Sequence, residues 1–233
     1  MKLGMLILVA VVVFVALCLL PIFLKWKKKQ RELKEKLFHR LSVRSDHLFH
    51  SVEMISDRYL AKDTKIFILE YLLSVIGQLT RADYQSEFVS KEADIVRILT
   101  ELKLGHKTAI KERISSQQQL DQIHNALQFI LRAMRNISEG YGASRAMISQ
   151  HIALIRYAHS LAYRDLLVRQ ARQDLDDDRK NRALEKYRTA LSVMERNGSV
   201  SGSKREAVRL QNMIQDVENV LFSKKNEVDL KSK

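Results

Sequence analysis

Seven histidines, a single cysteine and one short acidic run are the residues whose types could do chemistry in this 233-residue chain. His47 and His50 stand three apart, so a helix would put both imidazoles on one face, with His39 nearby. Two ligands do not complete a zinc site, and no His-Glu-x-x-His stretch exists. His151 and His159 lie two helical turns apart, about 12 Å, too far to share a metal. Asp174 to Asp178 lacks the spacing and closing glutamate of a calcium loop and reads as a charged helix junction. Gly140 and Gly142 are not followed by the Gly-Lys-Ser/Thr of a phosphate loop. No nucleophile elbow is present, and nothing orders serine, histidine and acid into a triad. Cys18 has no second cysteine with which to form a disulfide. The chain reads as non-enzymatic, with neither cofactor nor metal expected.

Charge is the other chemical resource. The formal net charge is +13, but its distribution argues against a general nucleic-acid surface. Lys25 to Arg44 holds nine basic and two acidic residues, whereas Ser45 to Lys233 holds thirty basic and twenty-five acidic ones. One local basic zone remains. Arg132 to Arg172 carries seven arginines against Glu139 and Asp165. Arginine forks suit phosphates and carboxylates, and a solvated helix face has the same spacing.

Within that zone Gly142-Ala143-Ser144-Arg145-Ala146-Met147-Ile148-Ser149-Gln150-His151-Ile152 resembles the turn and recognition helix of winged-helix repressors. The resemblance spans residues 136–156. It implies that Asn136 to Tyr141 form the preceding short helix. It also implies that Ser144, Arg145, Ser149 and Gln150 face a major groove, with Arg156 as a further contact to nucleic acid or an acidic partner. A plain helical hairpin turning at Gly140 to Gly142 satisfies the same pattern, and the unbroken apolar stripe upstream predicts the hairpin. Further on, Ala183, Tyr187 and Ala190 resemble the second helix of a tetratricopeptide repeat. No second copy follows 34 residues away, so a single helical hairpin is expected there too.

The elements that must position these residues are all helical. Pro21 is the only proline, glycines are few, and apolar residues recur at three and four rather than alternating. Lys65 to Leu79 is apolar nearly all round, which predicts a central buried helix, with Glu70 at its edge or paired to a cation. Phe88, Ile95, Leu99 and Leu102 form a stripe that Gly105 stops. Ile110 to Ile137 form another that Gly140 to Gly142 stop. Ser144 is a good N-cap for the helix that follows, to about Asp174. Gly198 to Ser203 reads as a loop, with Ser203 and Glu206 as a capping box for a last helix to about Phe222.

The N-terminus gives the clearest topological reading. The twenty-two residues from Leu3 to Leu24 carry no charge. As a helix they would span about 33 Å, enough for a hydrocarbon core of about 30 Å. Five of the next seven residues are basic, in the order Lys25-Trp26-Lys27-Lys28-Lys29-Gln30-Arg31. The positive-inside bias then leaves the short N-terminus outside and the rest in the cytosol, with Trp26 at the headgroup belt. An export signal would carry its charge ahead of the apolar core, and Leu17 is bulky where a lipoprotein cleavage box needs a small residue before Cys18. A retained anchor is therefore expected.

The expected architecture is all-α. Residues 1–24 form a transmembrane anchor, 25–60 a basic juxtamembrane amphipathic helix, 61–223 a cytosolic helical bundle or stacked hairpins, and 224–233 a disordered tail. Lys25, Trp26, Lys27, Lys28, Lys29 and Arg31 would meet an anionic leaflet. Leu41, Leu48 and Ile55, spaced by seven, suit either a short coiled coil or packing on the chain's own domain, so a homo-oligomer through residues 30–60 is one option. The leading functional reading is a single-pass inner-membrane adaptor that binds a partner protein. A membrane-held DNA-binding regulator using about 136–156 is the alternative.

Overall fold

The computed structural model describes the backbone of residues 2–105, 113–137, 144–198 and 200–231. Side chains of residues 2–22, Leu24 and 222–231 lie outside that description. Every regular element among the described residues is a helix. They are α1 (Lys2–Met54), α2 (Lys62–Arg81), α3 (Glu87–Ser90), α4 (Glu92–Leu104), α5 (Gln117–Arg135), α6 (Arg145–Asp176), α7 (Lys180–Glu195) and α8 (Ser201–Lys231). The all-helical expectation therefore holds.

The membrane expectation stands apart from the fold. Among the described residues no helix is long and apolar enough to cross a membrane. The run Leu3–Leu24 falls in α1 where, Phe23 excepted, only the backbone is described, so the anchor lies outside the described side chains. The turn expected at Gly140 to Gly142 also lies outside the described residues, as does Ile110.

α1 has two parts by burial. Residues 25–37 are all exposed, a rod of about 20 Å at 1.5 Å per residue. From Phe38 onward the stripe turns inward: Leu48, Phe49, Val52 and Ile55 are buried, and Phe38 and Leu41 pack against them. The heptad-like spacing thus serves packing on the chain's own core. Lys65 ends α1 chemically. Its ammonium donates to the Ile55 carbonyl at 2.8 Å and pairs with Asp57 at 2.6 Å, placing a cation where the helix leaves carbonyls unpaired.

α2 runs back along α1 and is the centre of the first core. Phe67, Ile68, Leu69, Leu72, Val75, Ile76 and Leu79 are buried on several sides, as its apolar circumference requires. Glu70 lies at its edge and pairs with Lys103 at 2.7 Å. Phe88 sits on the separate one-turn α3. Ile95, Leu99 and Leu102 line α4, which ends at Gly105 with φ +77°, the left-handed conformation that glycine tolerates. α5 starts at the Ser116 cap and ends at Arg135, with Asn136 capping it, so it stops short of the glycines expected to end it.

Ser144 caps α6 as expected, its hydroxyl accepting from the Met147 amide. α6 then runs unbroken for 32 residues and joins two cores. Ile155, Ala158, Leu161, Ala162 and Leu166 face the first, with α1, α2 and α5. Leu167, Val168 and Ala171 face the second, with α7 and α8. In α7 the small and aromatic residues Ala183, Tyr187 and Ala190 are fully buried between α6 and α8. Contacts from Asp174 to Lys186 and from Ser160 to Asn197 show α6 and α7 antiparallel. Met194 to Ser203 and Arg188 to Glu218 show the same for α7 and α8. The second half is thus a stack of helical hairpins.

The last connection differs from the reading of Gly198 to Ser203 as loop. α8 already begins at Ser201, and Ser203 is buried with its hydroxyl donating to the Met194 carbonyl. Ser203 therefore closes the end of α7 rather than capping α8, and Glu206 is turned to arginines instead of completing a capping box. α8 continues to Lys231, so no helix end coincides with the boundary drawn at 223.

Candidate functional site

Three arrangements could carry function: the exposed basic collar, the exposed start of α6, and a charge network buried where the two cores meet. In the collar Lys25, Trp26, Lys27, Lys28, Lys29 and Arg31 all project from the solvent-facing rod of α1. Trp26 is 59% exposed and its ring contacts Phe23 at 6.2 Å between centroids, so two aromatics stand together beside the lysines.

At the start of α6, Arg145, Ser149, Gln150 and Arg156 are exposed. Helical spacing puts Arg145, Ser149 and Arg156 on one side, with Gln150 more than a quarter-turn away. The histidine of the same motif points the other way. His151 is buried, stacks on Phe67 at 4.7 Å and lies 3.1 Å from the Thr64 hydroxyl. Burial lowers its pKa, only partly countered by Asp63. The motif's polar side chains are thus split between surface arginines and a packing imidazole. Asn136 and Ile137 are not helical, and 138–141 fall outside the described residues, so the preceding helix implied by the repressor resemblance has no described counterpart.

The network begins where α1 ends. Arg58 and Tyr59, in the turn before α2, reach Asp165 in the middle of α6. Arg58 Nε and Nη2 donate to the two Asp165 oxygens at 2.5 and 2.9 Å, a bidentate fork. Tyr59 donates to Asp165 at 3.0 Å while accepting from the Ile114 amide at 3.0 Å, which fixes the approach to α5. Arg164 donates to Asp165 at 2.7 Å and reaches Glu206 of α8 at 2.5 Å. The Glu206 contact is close but poorly directed: Glu206 Oε2 and Arg164 Nε are buried without a hydrogen bond. Arg209 adds a more exposed pairing to Glu206 at 2.8 Å.

The electrostatics follow from this geometry. Burial alone would raise the Asp165 pKa, but the Arg58 fork and then Arg164 outweigh it and hold the carboxyl below its usual range. The same Asp165 bond raises the Arg58 pKa against the opposing effect of burial. Tyr59 is pushed up to about 12, first by burial and then by the Asp165 charge. Arg58, Tyr59 and Asp165, from two distant regions of the chain, are thereby each held in one protonation state. None of these three is poised near neutrality, so they suit positioning rather than proton transfer.

The other titratable groups are dispersed. His124 and His159 stack with centroids 3.4 Å apart, and His124 Nε2 lies 3.1 Å from the His159 carbonyl. Burial lowers both pKa values, that of His159 to about 4 with His124 adding to the effect. His39 lies 3.3 Å from the Tyr84 hydroxyl, and His47 and His50 share a face of α1 as their spacing predicted. Among the described residues no three histidine, cysteine or acidic side chains cluster as metal ligands would. Asp174 is bonded by Lys186 and paired with Arg179 at 3.0 Å, and those cations, Lys186 foremost, lower its pKa. The acidic run is therefore a charged junction between α6 and α7.

Sequence reasoning did not single out Arg58, Tyr59, Arg164, Asp165 or Glu206 as a unit. One signal was available: Arg164 and Asp165 interrupt the otherwise apolar stretch Leu161 to Val168. No protein family, curated protein or solved structure matches the chain.

Proposed function

We propose that the protein is a single-pass, membrane-anchored helical adaptor whose cytosolic domain binds a partner protein at the inner-membrane surface. The observation that carries this reading is the charge asymmetry around Leu3–Leu24: an uncharged run long enough to span, followed at once by the lysine collar. The unbroken course of α1 supports it. A single helix from Lys2 to Met54 carries any anchor directly into the core, with the exposed segment 25–37 as a stand-off. Lys25, Lys27, Lys28, Lys29 and Arg31 meet the anionic leaflet, and Trp26 its headgroups. Anchoring raises the local concentration of the domain for any other membrane component. The stacked hairpins α6 to α8 supply the long helical faces that such binding uses.

A C-terminal reporter and alkaline extraction of membranes test the anchor. Reporter activity confined to the cytosol and retention in the membrane pellet are expected. Activity outside the membrane, or release by alkali, refutes it. In-cell crosslinking from sites on α7 and α8 tests the adaptor role. A discrete heteromeric product that vanishes when residues 1–24 are deleted is expected, and no product from any site refutes the role.

One observation favours a second reading, DNA binding: Arg145, Ser149 and Arg156 are exposed on one side of α6 behind the Ser144 cap. Sequence-selective binding that survives added salt and changes with Arg145→Ala supports it, whereas weak binding lost in salt refutes it. Self-association through 30–60 has less to draw on, because the stripe from Phe38 to Ile55 is already spent inside the chain's own core.

A further inference from the structure

We propose that the cleft between α1 and α5 binds a small organic anion: a carboxylate or phosphate ester carried on a flat apolar body. The cleft has a volume of about 680 Å³. That lies within the range of small-molecule sites, about 300 to 1,000 Å³. Ala126, itself buried, is the smallest of its lining residues, where a larger side chain would take up part of the hollow. Phe129 forms one apolar wall, braced by the His47 ring at 4.8 Å, and Met54 forms the other end.

Most polar side chains around this hollow have no hydrogen-bond partner among the described residues. His50, Gln122, Asn125, Gln128 and Arg132 line it, and their side chains make no hydrogen bond among the described residues. Ser51 is the exception, its hydroxyl committed to the His47 carbonyl. The set is rich in donors: one permanent guanidinium, an imidazole and three amides. No carboxylate lines the cleft among the described residues. The nearby acids are directed elsewhere. Asp46 pairs with Lys91 at 2.6 Å, Glu53 lies in the hollow beside Ile98 on another side of α1, and Asp121 accepts from Gln117 at 2.9 Å. A donor-lined hollow with one fixed positive charge and an aromatic wall favours an anion joined to a planar group, and disfavours a cation. The site stands whether or not the chain is anchored.

The test uses the full-length chain in detergent, with phenyl phosphate as probe and the ring signals of His47 and His50 as readout. Saturable shifts of both rings are expected below about 10 mM, a weak affinity suited to so small a probe. Arg132→Gln, an exposed change that leaves the core intact, weakens binding about tenfold by removing a charge-assisted bond. Ala126→Leu, which fills the hollow and keeps every polar group, abolishes it. Inorganic phosphate supplies the charge without the ring, and benzamide the ring without the charge; each binds at least about tenfold more weakly. The proposal is overturned by an absence of saturable shifts, by unchanged affinity in Arg132→Gln, or by equal binding of either control. Should Ala126→Leu fail to fold, the Arg132 variant and the two controls still decide.

Discussion

Replacing Asp165 by asparagine tests the network most directly, because it keeps the shape and removes the charge. Asp165 is 1% exposed and accepts four hydrogen bonds: two from Arg58, one from Tyr59 and one from Arg164. With the charge gone, Glu206 is the only described carboxylate left to Arg164, and Arg58 loses its only ion-pair partner among the described residues. Breaking a buried pair from one side costs about 3–5 kcal/mol, since the surviving charge stays desolvated. Arg58 is 15% exposed and recovers some hydration, so the lower end, about 3 kcal/mol, is expected. Against a total of about 5–15 kcal/mol this is a large fraction of the fold's stability.

Urea unfolding followed by far-ultraviolet circular dichroism, on the chain from Lys25 onward, measures the change. Arg58→Gln leaves Asp165 its Arg164 and Tyr59 bonds and costs less, about 2 kcal/mol. The double variant falls short of the sum by about 1–2 kcal/mol, because the two residues share one interaction. The folded-state pKa of Asp165 is depressed, so its contribution is present above the unfolded carboxylate value and disappears as pH falls through the folded one. A loss under about 1 kcal/mol in Asp165→Asn, or strict additivity with Arg58→Gln, refutes the reasoning.

The histidine stack gives a second pH dependence at higher pH. His159 is held at about 4 in the folded chain against about 6.5 unfolded, so the unfolded state takes up more protons between those values and stability falls as pH drops through that window. Up to about 3 kcal/mol is involved, and thermal melts of His159→Phe, which keeps the stack without titrating, flatten the slope over that range. A Cβ at Gly202 would lie 2.9 Å from the Tyr157 hydroxyl oxygen and 3.2 Å from its Cζ; Gly202→Ala therefore costs about 1–2 kcal/mol in urea titration, and Tyr157→Phe in the same background restores part of it. Ile68, fully buried in α2, is expected to cost about 3–4 kcal/mol as Ile68→Ala in the same assay, and a loss below about 1 kcal/mol places it outside the core.

What the sequence reveals here is local. The apolar circumference of Lys65 to Leu79 identifies the central helix because burial on all sides leaves no polar stripe to find. Gly105 and Ser144 identify helix ends because each meets a requirement of its own turn, a left-handed residue and an acceptor for a free amide. Ser203 shows the limit. Its spacing to Glu206 satisfies the capping pattern, yet the carbonyl of Met194 and the guanidinium of Arg164 claim the two side chains, and both lie outside the local turn. In the network, Arg58 and Asp165 are 107 residues apart and look no different in sequence from solvated charges. Only the apolar neighbours of Arg164 and Asp165 hint that this pair is inside. The α1–α5 cleft is equally hidden, since it depends on which face of each helix meets the other and on one alanine at the contact.

The position of the charges suggests why a costly network is kept at all. α6 is a single helix serving two cores, and apolar packing alone would let the α7–α8 hairpin slide along it, because leucine, valine and alanine repeats tolerate shifts of a turn. Arg164 and Asp165 sit where one core gives way to the other. Asp165 gains three of its four hydrogen bonds when the turn before α2 brings Arg58 and Tyr59 to it, and Arg164 gains a second carboxylate beside Asp165 when α8 brings Glu206. A shift of one turn in either partner would strip a buried charge of part of its pairing, a penalty added to any packing difference between registers. The network therefore specifies the register of both halves against α6. The segment that enters the first core is also the continuation of the basic rod, so the same lock fixes the α7–α8 hairpin relative to α1 and to whatever surface the collar touches.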